Sequence, residues 1–170
     1  MPLPATRERA GFVFEDLYRS CRDDVFAYIT TLLRDRTAAE DVTALAFERA
    51  YRKRKSFRRE RGSERAWLFG IARNAALDEL RRRRRLAPLL VEPAACGTEA
   101  EDAEHAVRRV AVRSALAELP GRDRELIALK FHAGLDNAEI ARVLGVSETN
   151  AGTMLHRAIE RIRKACNEAD

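Results

Sequence analysis

The clearest structural pattern in the chain is the segment NAEIARVLGVSETNAGTMLHRAIERIRKA at residues 137–165. A helix-turn-helix needs a small residue where its two helices cross, a glycine that turns the chain, and apolar residues that pack the crossing. Ala141 is the small residue, Gly145 stands four positions later, and Ser147 is placed to cap the second helix. Apolar side chains fill the packing positions Ile140, Leu144, Val146, Ala151 and Leu155. The segment therefore predicts a helix-turn-helix.

The second helix of such a motif enters the major groove of DNA with its N-terminal end first. Because Ala151 and Leu155 face inward, the outer face keeps four polar residues: Asn150, Thr153, His156 and Arg157. Arginine pairs with guanine, asparagine with adenine, and threonine with a base or a phosphate. The alternative is an ordinary amphipathic hairpin with a solvated polar face, but the turn residues and the ordered spacing favour a DNA-binding motif.

Upstream of this motif, basic charge is concentrated in two places. Nine basic side chains lie within residues 49–65, and Arg81–Arg85 is an unbroken run. A solvated helix end is one explanation of the run, since cations favour a helix C-terminus, but five successive arginines surround the helix and indicate phosphate contact. Trp67 is either a half-buried core residue or a platform for unstacked bases. Three arginines near it are candidates for phosphate binding: Arg58, Arg61 and Arg65.

The whole chain is predicted to be all-α, with two small helical domains. Ala, Leu, Glu and Arg dominate its 170 residues, which favours helices over strands. Residues 86–104 contain two prolines, a glycine and mostly acidic charge, which is typical of a linker. We therefore predict an N-domain at 10–85, a flexible acidic linker at 86–104 and a C-domain at 105–168.

Capping patterns place the individual helices. Apolar periodicity predicts N-domain helices at about 14–32, 37–54 and 64–85. Thr37-Ala-Ala-Glu40 matches a capping box that would open the second of these, and Ser63 is a suitable N-cap for the third. In the C-domain, Thr98-Glu-Ala-Glu101 would open a helix that ends at Pro120-Gly121, and Gly134 would stop another at about 122–132.

Composition argues against several classes of protein. A net charge of +5 favours an anionic partner. The three cysteines are too dispersed for a zinc site or a disulfide framework, so we expect no metal and no cofactor. The sequence has no long apolar run and no signal-peptide pattern, which predicts a cytoplasmic protein without membrane insertion. The histidines are also dispersed, so we expect no catalytic residues and disfavour an enzyme such as a nuclease.

Three segments together resemble the extracytoplasmic-function (ECF) sigma factors of the sigma-70 superfamily. Residues 66–85, AWLFGIARNAALDELRRRRR, are similar to the segment with which these factors melt promoters. Residues 39–52, AEDVTALAFERAYR, are similar to the helix that docks on the polymerase clamp, and residues 116–162 resemble the domain that reads the −35 element. The likeness covers about 12–85 and 106–166, in the family's order and spacing.

This resemblance implies a bacterial transcription initiation factor without catalysis of its own. The N-domain, as sigma region 2, would bind the clamp of core RNA polymerase and capture the −10 element as single-stranded DNA. The C-domain, as sigma region 4, would sit on the polymerase flap and place its helix-turn-helix on the −35 duplex. An anti-sigma factor is a further partner that the family implies. The alternative is a stand-alone helix-turn-helix regulator whose N-domain serves dimerisation or sensing.

The resemblance also assigns residues. Clamp contacts are expected at Asp41, Leu45, Phe47, Arg49 and Arg52. Asn74 matches a position that reads an everted base, and the positions on the same helix near duplex or fork DNA are Arg73, Asp78, Arg81 and Arg82. Thr153, His156 and Arg157 match base- and phosphate-contacting positions. The chain departs from the family at Ala44 and Leu45, where a glutamine and an acidic residue are usual, and at Gly152, where a lysine or arginine is common. Ala151 also replaces a usual valine.

Overall fold

Seven α-helices form most of the part of the chain that the computed structural model describes, residues 12–86 and 103–167. They are α1 (Phe14–Leu33), α2 (Arg36–Lys53), α3 (Glu64–Leu86), α4 (Ala103–Glu118), α5 (Gly121–Phe131), α6 (Asn137–Leu144) and α7 (Glu148–Asn167). Two short 3-10 turns, Arg54–Ser56 and Arg59–Arg61, join α2 to α3. The predicted all-α fold class is confirmed. Residues 87–102 of the predicted linker, with the capping box at Thr98–Glu101, lie outside the described residues.

The N-domain is built from α1, α2 and α3, which pack against one another. Large side chains of α1 and α3, among them Tyr28, Ile29 and Phe69, are fully buried between the helices. The contact faces of α2 and α3 carry alanines of 0–6% exposure: Ala39, Ala46, Ala50, Ala66, Ala72, Ala75 and Ala76. Because small side chains let helix axes approach closely, α3 lies tightly on the other two helices and its orientation is fixed.

The start of α2 differs from the prediction. Asp35 is the N-cap, and its side chain accepts a hydrogen bond from the backbone N–H of Ala38 at 3.0 Å. The predicted capping box of Thr37 and Glu40 is therefore wrong, because α2 already begins at Arg36. An aspartate in extended backbone supplies the same kind of acceptor two residues earlier. The predicted N-cap of α3 is confirmed, since Ser63 Oγ accepts from the Ala66 N–H at 3.1 Å.

The helix-turn-helix is formed by α6 and α7 as the sequence predicts. Ala141 and Ala151 are nearly fully buried at the crossing. Gly145 has a φ of +68°, a left-handed conformation that favours glycine, and the next N–H, of Val146, donates to Ala141 O at 3.0 Å. Ser147 Oγ accepts from the N–H of Asn150 at 3.2 Å and so caps α7.

A capping box that the sequence analysis missed begins α6. The Asp136 side chain accepts from the N–H of Glu139 at 2.8 Å, and the Glu139 carboxylate accepts from the Asp136 N–H at 3.1 Å. The pair satisfies two backbone donors that a helix start leaves open. The motif therefore starts at a well-defined residue, Asn137.

Two arginines of the 81–85 run form ion pairs near the C-terminal end of α3, and one of them joins α3 to α2. Arg83 donates to Asp35, the N-cap of α2, at 2.9 Å and to Glu79 at 2.8 Å, and Arg82 donates to Glu79 at 2.7 and 2.8 Å. The Arg82 hydrogen bond, together with that of Arg83, lowers the pKa of Glu79 from 4.5 to about 2, although partial burial opposes the shift. The end of α3 is thus fixed to the start of α2 through ionic hydrogen bonds.

Glu79→Gln should lower the free energy of unfolding by about 1 kcal/mol at pH 7, because it removes the charge that Arg82 and Arg83 bind. The folded-state pKa lies below the unfolded one, so the stabilisation is present above pH 4.5 and is lost as the pH falls toward 2. Urea denaturation of both proteins across this range measures it. Glu118→Gln, at the exposed end of α4, is the control. A stability difference that does not shrink with falling pH would contradict the assignment.

Candidate nucleic-acid interface

The exposed side of α7 carries all four residues that the sequence assigns to the major groove. Asn150, Thr153, His156 and Arg157 are exposed. On the opposite side, Ala151, Leu155 and Ala158 are buried against the rest of the C-domain. Residues spaced by three, four or seven positions return to one side of a helix. The structure therefore brings the four predicted residues together on a single face.

An open hollow of about 530 Å³ lies beside this face of α7. It is lined by Asn137, Glu148, Thr149, Gly152, Thr153 and His156. Gly152 contributes to the hollow because it has no side chain: a Cβ there would lie 3.4 Å from Nδ2 of Asn137. The hollow therefore presents the amide of Asn137, which comes from the start of α6.

A second polar surface lies on α3. Trp67, Asn74 and Arg81 are seven residues apart and so lie on one side of the helix, together with Asp78. We call this side the outer face of α3. Asn74, Asp78 and Arg81 are exposed there, and Arg81 contacts Asp78 at 3.3 Å. Arg82, predicted with them, is exposed but is held by Glu79.

Trp67 stands at the N-terminal end of this outer face and is half-buried. Its ring packs against Phe57 and Phe12, with centroid distances of 5.6 and 5.8 Å. Phe57 is 6% exposed and belongs to the loop between α2 and α3, which also carries the exposed residues Arg58 and Arg61. Trp67 is therefore partly a core residue, because its ring fixes the basic loop beside α3. The accessible part of the ring is compatible with a platform for unstacked bases.

Arg65 and Arg73 lie away from the outer face. Arg65 is nine residues from Asn74, which is two and a half helical turns and places the two on opposite sides of α3. Arg65 donates to Asp24 Oδ2 at 2.5 Å, to the backbone oxygen of His132 at 3.2 Å and to that of Ala133. Arg73 donates to Glu125 Oε1 at 2.6 Å. In this conformation, both arginines are bound to protein groups.

The residues predicted to contact the clamp share one face of α2, with one exception. Asp41, Leu45, Arg49 and Arg52 are spaced for a single side of the helix, and Leu45 is 37% exposed. Arg49 also pairs with Asp78 of α3 at 2.9 Å. Phe47 is 5% exposed and lies on the other side of α2. Its ring packs edge-on against Tyr18 at 4.8 Å, a packing position that the sequence pattern did not separate from the exposed ones.

Two classes of site have no counterpart in the described part of the chain. No group of three or more His, Cys, Asp or Glu side chains within residues 12–86 and 103–167 is placed to hold a metal ion. None of the helices in these ranges combines the length and the apolar character needed to span a bilayer.

Comparison with known proteins identifies the family. The sequence-family model of Sigma-70 region 2 matches residues 17–86, and the family model of Sigma-70, region 4 matches residues 109–162. The ECF RNA polymerase sigma factor SigL of Mycobacterium tuberculosis is 30% identical over 148 residues, which are 85% of this chain and 83% of the relative. SigM of Bacillus subtilis, another ECF sigma factor, is 26% identical over 158 residues, 90% of this chain and 94% of the relative.

The fold agrees with these matches. The sigma factor RpoE of Bartonella quintana, solved in complex with the anti-sigma factor NepR, has a TM-score of 0.78 to this chain at 22% identity, over 91% of this chain and 96% of that one. The chain therefore belongs to the ECF sigma factors of the sigma-70 family. The match to region 2 across the N-domain disfavours the alternative of a stand-alone regulator.

Gly152→Ala should raise the free energy of unfolding by about 0.5–1 kcal/mol, because glycine inside a helix is less favourable than alanine and the added Cβ meets Asn137 at ordinary contact distance. Gly70→Ala in α3, where a Cβ meets no atom within 4 Å, is the matched comparison and should give a similar gain. Urea denaturation measures both. A loss of stability for Gly152→Ala alone would show that Asn137 cannot yield and that the hollow requires glycine.

Proposed function

We propose that this chain directs core RNA polymerase to promoters through two separate DNA-facing surfaces, the outer face of α3 and the exposed face of α7. The observation that carries the proposal is that both surfaces are exposed on one chain while the opposite sides of both helices are buried. The chain supplies binding and positioning without a catalytic step of its own, and it acts in the cytoplasm together with the polymerase.

The outer face of α3 suits the single-stranded −10 element. Asn74 offers an amide with two donors and one acceptor, which can hydrogen-bond an unstacked base. Arg81 and the loop residues Arg58 and Arg61 supply positive charge for the backbone on either side, and the accessible part of Trp67 offers a stacking surface. A basic groove with an aromatic platform is the combination that single-strand binding uses.

The exposed face of α7 suits the −35 duplex. Arg157 and Asn150 can each make paired hydrogen bonds to a base edge in the major groove, and Thr153 can bind a base or a phosphate. Gly152 supplies no cation, so the face carries less charge toward the phosphates than a lysine or arginine would give. Binding to −35 is therefore expected to depend on the polymerase holding the C-domain in place.

The clamp contact is assigned to the exposed face of α2. Leu45 and Ala44 replace the usual polar pair, so this contact rests on the Leu45 side chain with Asp41, Arg49 and Arg52 around it. Phe47 lies on the buried side of α2, where its ring packs against Tyr18 of α1 and so fixes the orientation of the exposed face. The flap contact is assigned to the C-domain, and an anti-sigma factor stays a prediction of the family.

Run-off transcription with core polymerase on a promoter library tests the proposed function directly. The expected result is strong stimulation on a subset of promoters with shared −10 and −35 sequences, and poor DNA binding by the chain alone. Tight sequence-specific DNA binding without stimulation of core polymerase would overturn the proposal in favour of a stand-alone regulator.

Asn74→Ala should reduce open-complex formation roughly tenfold through the loss of a base-specific hydrogen bond, while binding to core polymerase is unchanged. Permanganate reactivity of the −10 thymines measures the first effect, and co-purification with core polymerase measures the second. Asn167→Ala, at the exposed end of α7, removes the same side chain elsewhere and is expected to have no effect. Normal melting by Asn74→Ala would refute its role.

Arg157→Ala should weaken the response to the −35 element, with a loss of roughly tenfold on promoters that match it and little loss on promoters with an altered −35. Promoter-dependent transcription rates measure this difference. Arg163→Ala is the matched control, because Arg163 is exposed on another side of α7 and pairs with Glu160 at 2.7 Å. An equal loss on both promoter sets would contradict direct −35 contact.

A further inference from the structure

The exposed face of α7 consists of two rows of residues, and one row borders the hollow beside the helix. The bordering row has members three or four positions apart: Thr149, Gly152, Thr153 and His156. The other row holds Asn150 and Arg157, which are seven positions apart. Because Asn137 also lines the hollow and is the first residue of α6, the bordering row faces a side chain from a different helix.

The amide of Asn137 is open to the hollow because residue 152 is glycine. Asn137 follows the capping-box residue Asp136 directly, so its position at the start of α6 is well defined, and it is exposed. Its Nδ2 atom lies 3.4 Å from the place that a Cβ on residue 152 would take. A long side chain at 152 would therefore compete with any ligand for the space in front of this amide.

The groups that line the hollow suit a hydrogen-bond donor. Glu148, the first residue of α7, brings an exposed carboxylate, which accepts hydrogen bonds only. Asn137 brings an amide, and Thr149 and Thr153 bring hydroxyl groups. Within the described part of the chain, neither a lysine nor an arginine lines the hollow. A ligand that offers a donor would therefore find acceptors there.

A phosphate fits this hollow less well, although helix starts often bind phosphates. Carboxylates already offset the partial positive charge of both helix starts: Asp136 and Glu139 form the capping box of α6, and Glu148 lies in the first turn of α7. Glycine at 152 adds no cation against them. Because phosphate oxygens only accept hydrogen bonds, a phosphate in the hollow would meet the Glu148 carboxylate without a proton to share.

The major groove of DNA offers hydrogen-bond donors on two bases only. Adenine presents its N6 amine and cytosine its N4 amine, whereas guanine and thymine present the acceptors O6 and O4 at the corresponding edge. An asparagine amide can bond N6 and N7 of adenine together, and a carboxylate accepts from N4 of cytosine. The hollow therefore matches the exocyclic amine of a base.

We propose that Asn137 is a further specificity-determining residue of the −35 surface. Together with Glu148, it reads a base that carries an exocyclic amine, adenine or cytosine, in the hollow that Gly152 leaves open. The first helix of the helix-turn-helix thereby supplements the second, and the row with Asn150 and Arg157 reads other positions. This inference rests on the proposed function of α7 at the −35 duplex.

Run-off transcription with core polymerase tests the assignment on promoters that carry each base at each position of the −35 element. The wild-type chain should favour adenine or cytosine over guanine and thymine roughly tenfold at one position. Asn137→Ala should remove this preference and leave the preferences at the other positions, including the one that Arg157→Ala affects. Asn167→Ala, at the exposed end of α7, removes the same side chain away from the hollow and should retain every preference.

The preferred base identifies the partner. Adenine would pair with both the donor and the acceptor of the Asn137 amide, whereas cytosine would donate to the amide oxygen beside the Glu148 carboxylate. Glu148→Gln keeps the shape of the side chain and removes its charge. It should weaken the discrimination against guanine and thymine at the same position, because their acceptor oxygens no longer face a carboxylate.

Gly152→Arg tests the hollow independently of Asn137→Ala, and urea denaturation verifies the folding of each variant. An arginine there would fill the hollow with a cation. It should remove the same base preference and make the salt dependence of promoter binding steeper by about 0.9 in the logarithmic slope, since one phosphate contact is gained.

Two results would overturn the role of Asn137. An equal loss of transcription by Asn137→Ala on every −35 sequence, with a shallower salt dependence, would show a phosphate contact. Unchanged base preferences in Asn137→Ala, or in Gly152→Arg if the former does not fold, would show that no base occupies the hollow. In both cases the wild-type chain still responds to the promoter sequence, whereas failure of the proposed function would remove that response.

Discussion

The packing of α3 against α1 and α2 determines what the N-domain can present to nucleic acid. Buried alanines with almost no exposure line the contact between α3 and its neighbours and let the helices pack closely. Rotation of α3 would therefore open gaps in the core. This fixed orientation turns Asn74 and Arg81 outward and Arg73 toward the C-domain. One side of this helix is thereby the proposed DNA surface, and another side contacts the C-domain. The two sides are separate because helical residues return to the same side only every three to four positions.

Charge is used for two purposes in this chain. Arg83 joins α3 to the N-cap Asp35 of α2, Arg73 joins α3 to the buried Glu125 of α5, and Arg82 binds Glu79 within α3. Other arginines of the same run, Arg84 and Arg85, are exposed. Phosphate contact remains the interpretation of that exposed part. The excess of basic residues in the sequence therefore overstates the charge that is available to DNA in this structure.

Local patterns predicted much of the fold. The turn at Gly145, the Ser63 cap and the apolar periodicity of the helices each depend on residues a few positions apart, and the family resemblance follows from the order of such segments. The choice of Asp35 over Thr37 as N-cap was missed because both residue types can cap, and Arg83, 48 residues away in sequence, holds the aspartate in place. The pairing of Glu125 with Arg73, across 52 residues, leaves no signal in either segment.

The central claim is that one chain uses α3 and α7 at two different promoter elements in the same complex. Site-specific photocrosslinking from positions 74 and 157, in an open complex with core polymerase, tests this claim most directly. The account predicts crosslinks from position 74 to the single-stranded −10 element and from position 157 to the −35 duplex. Crosslinks from both positions to one stretch of duplex, or from position 157 alone, would contradict it.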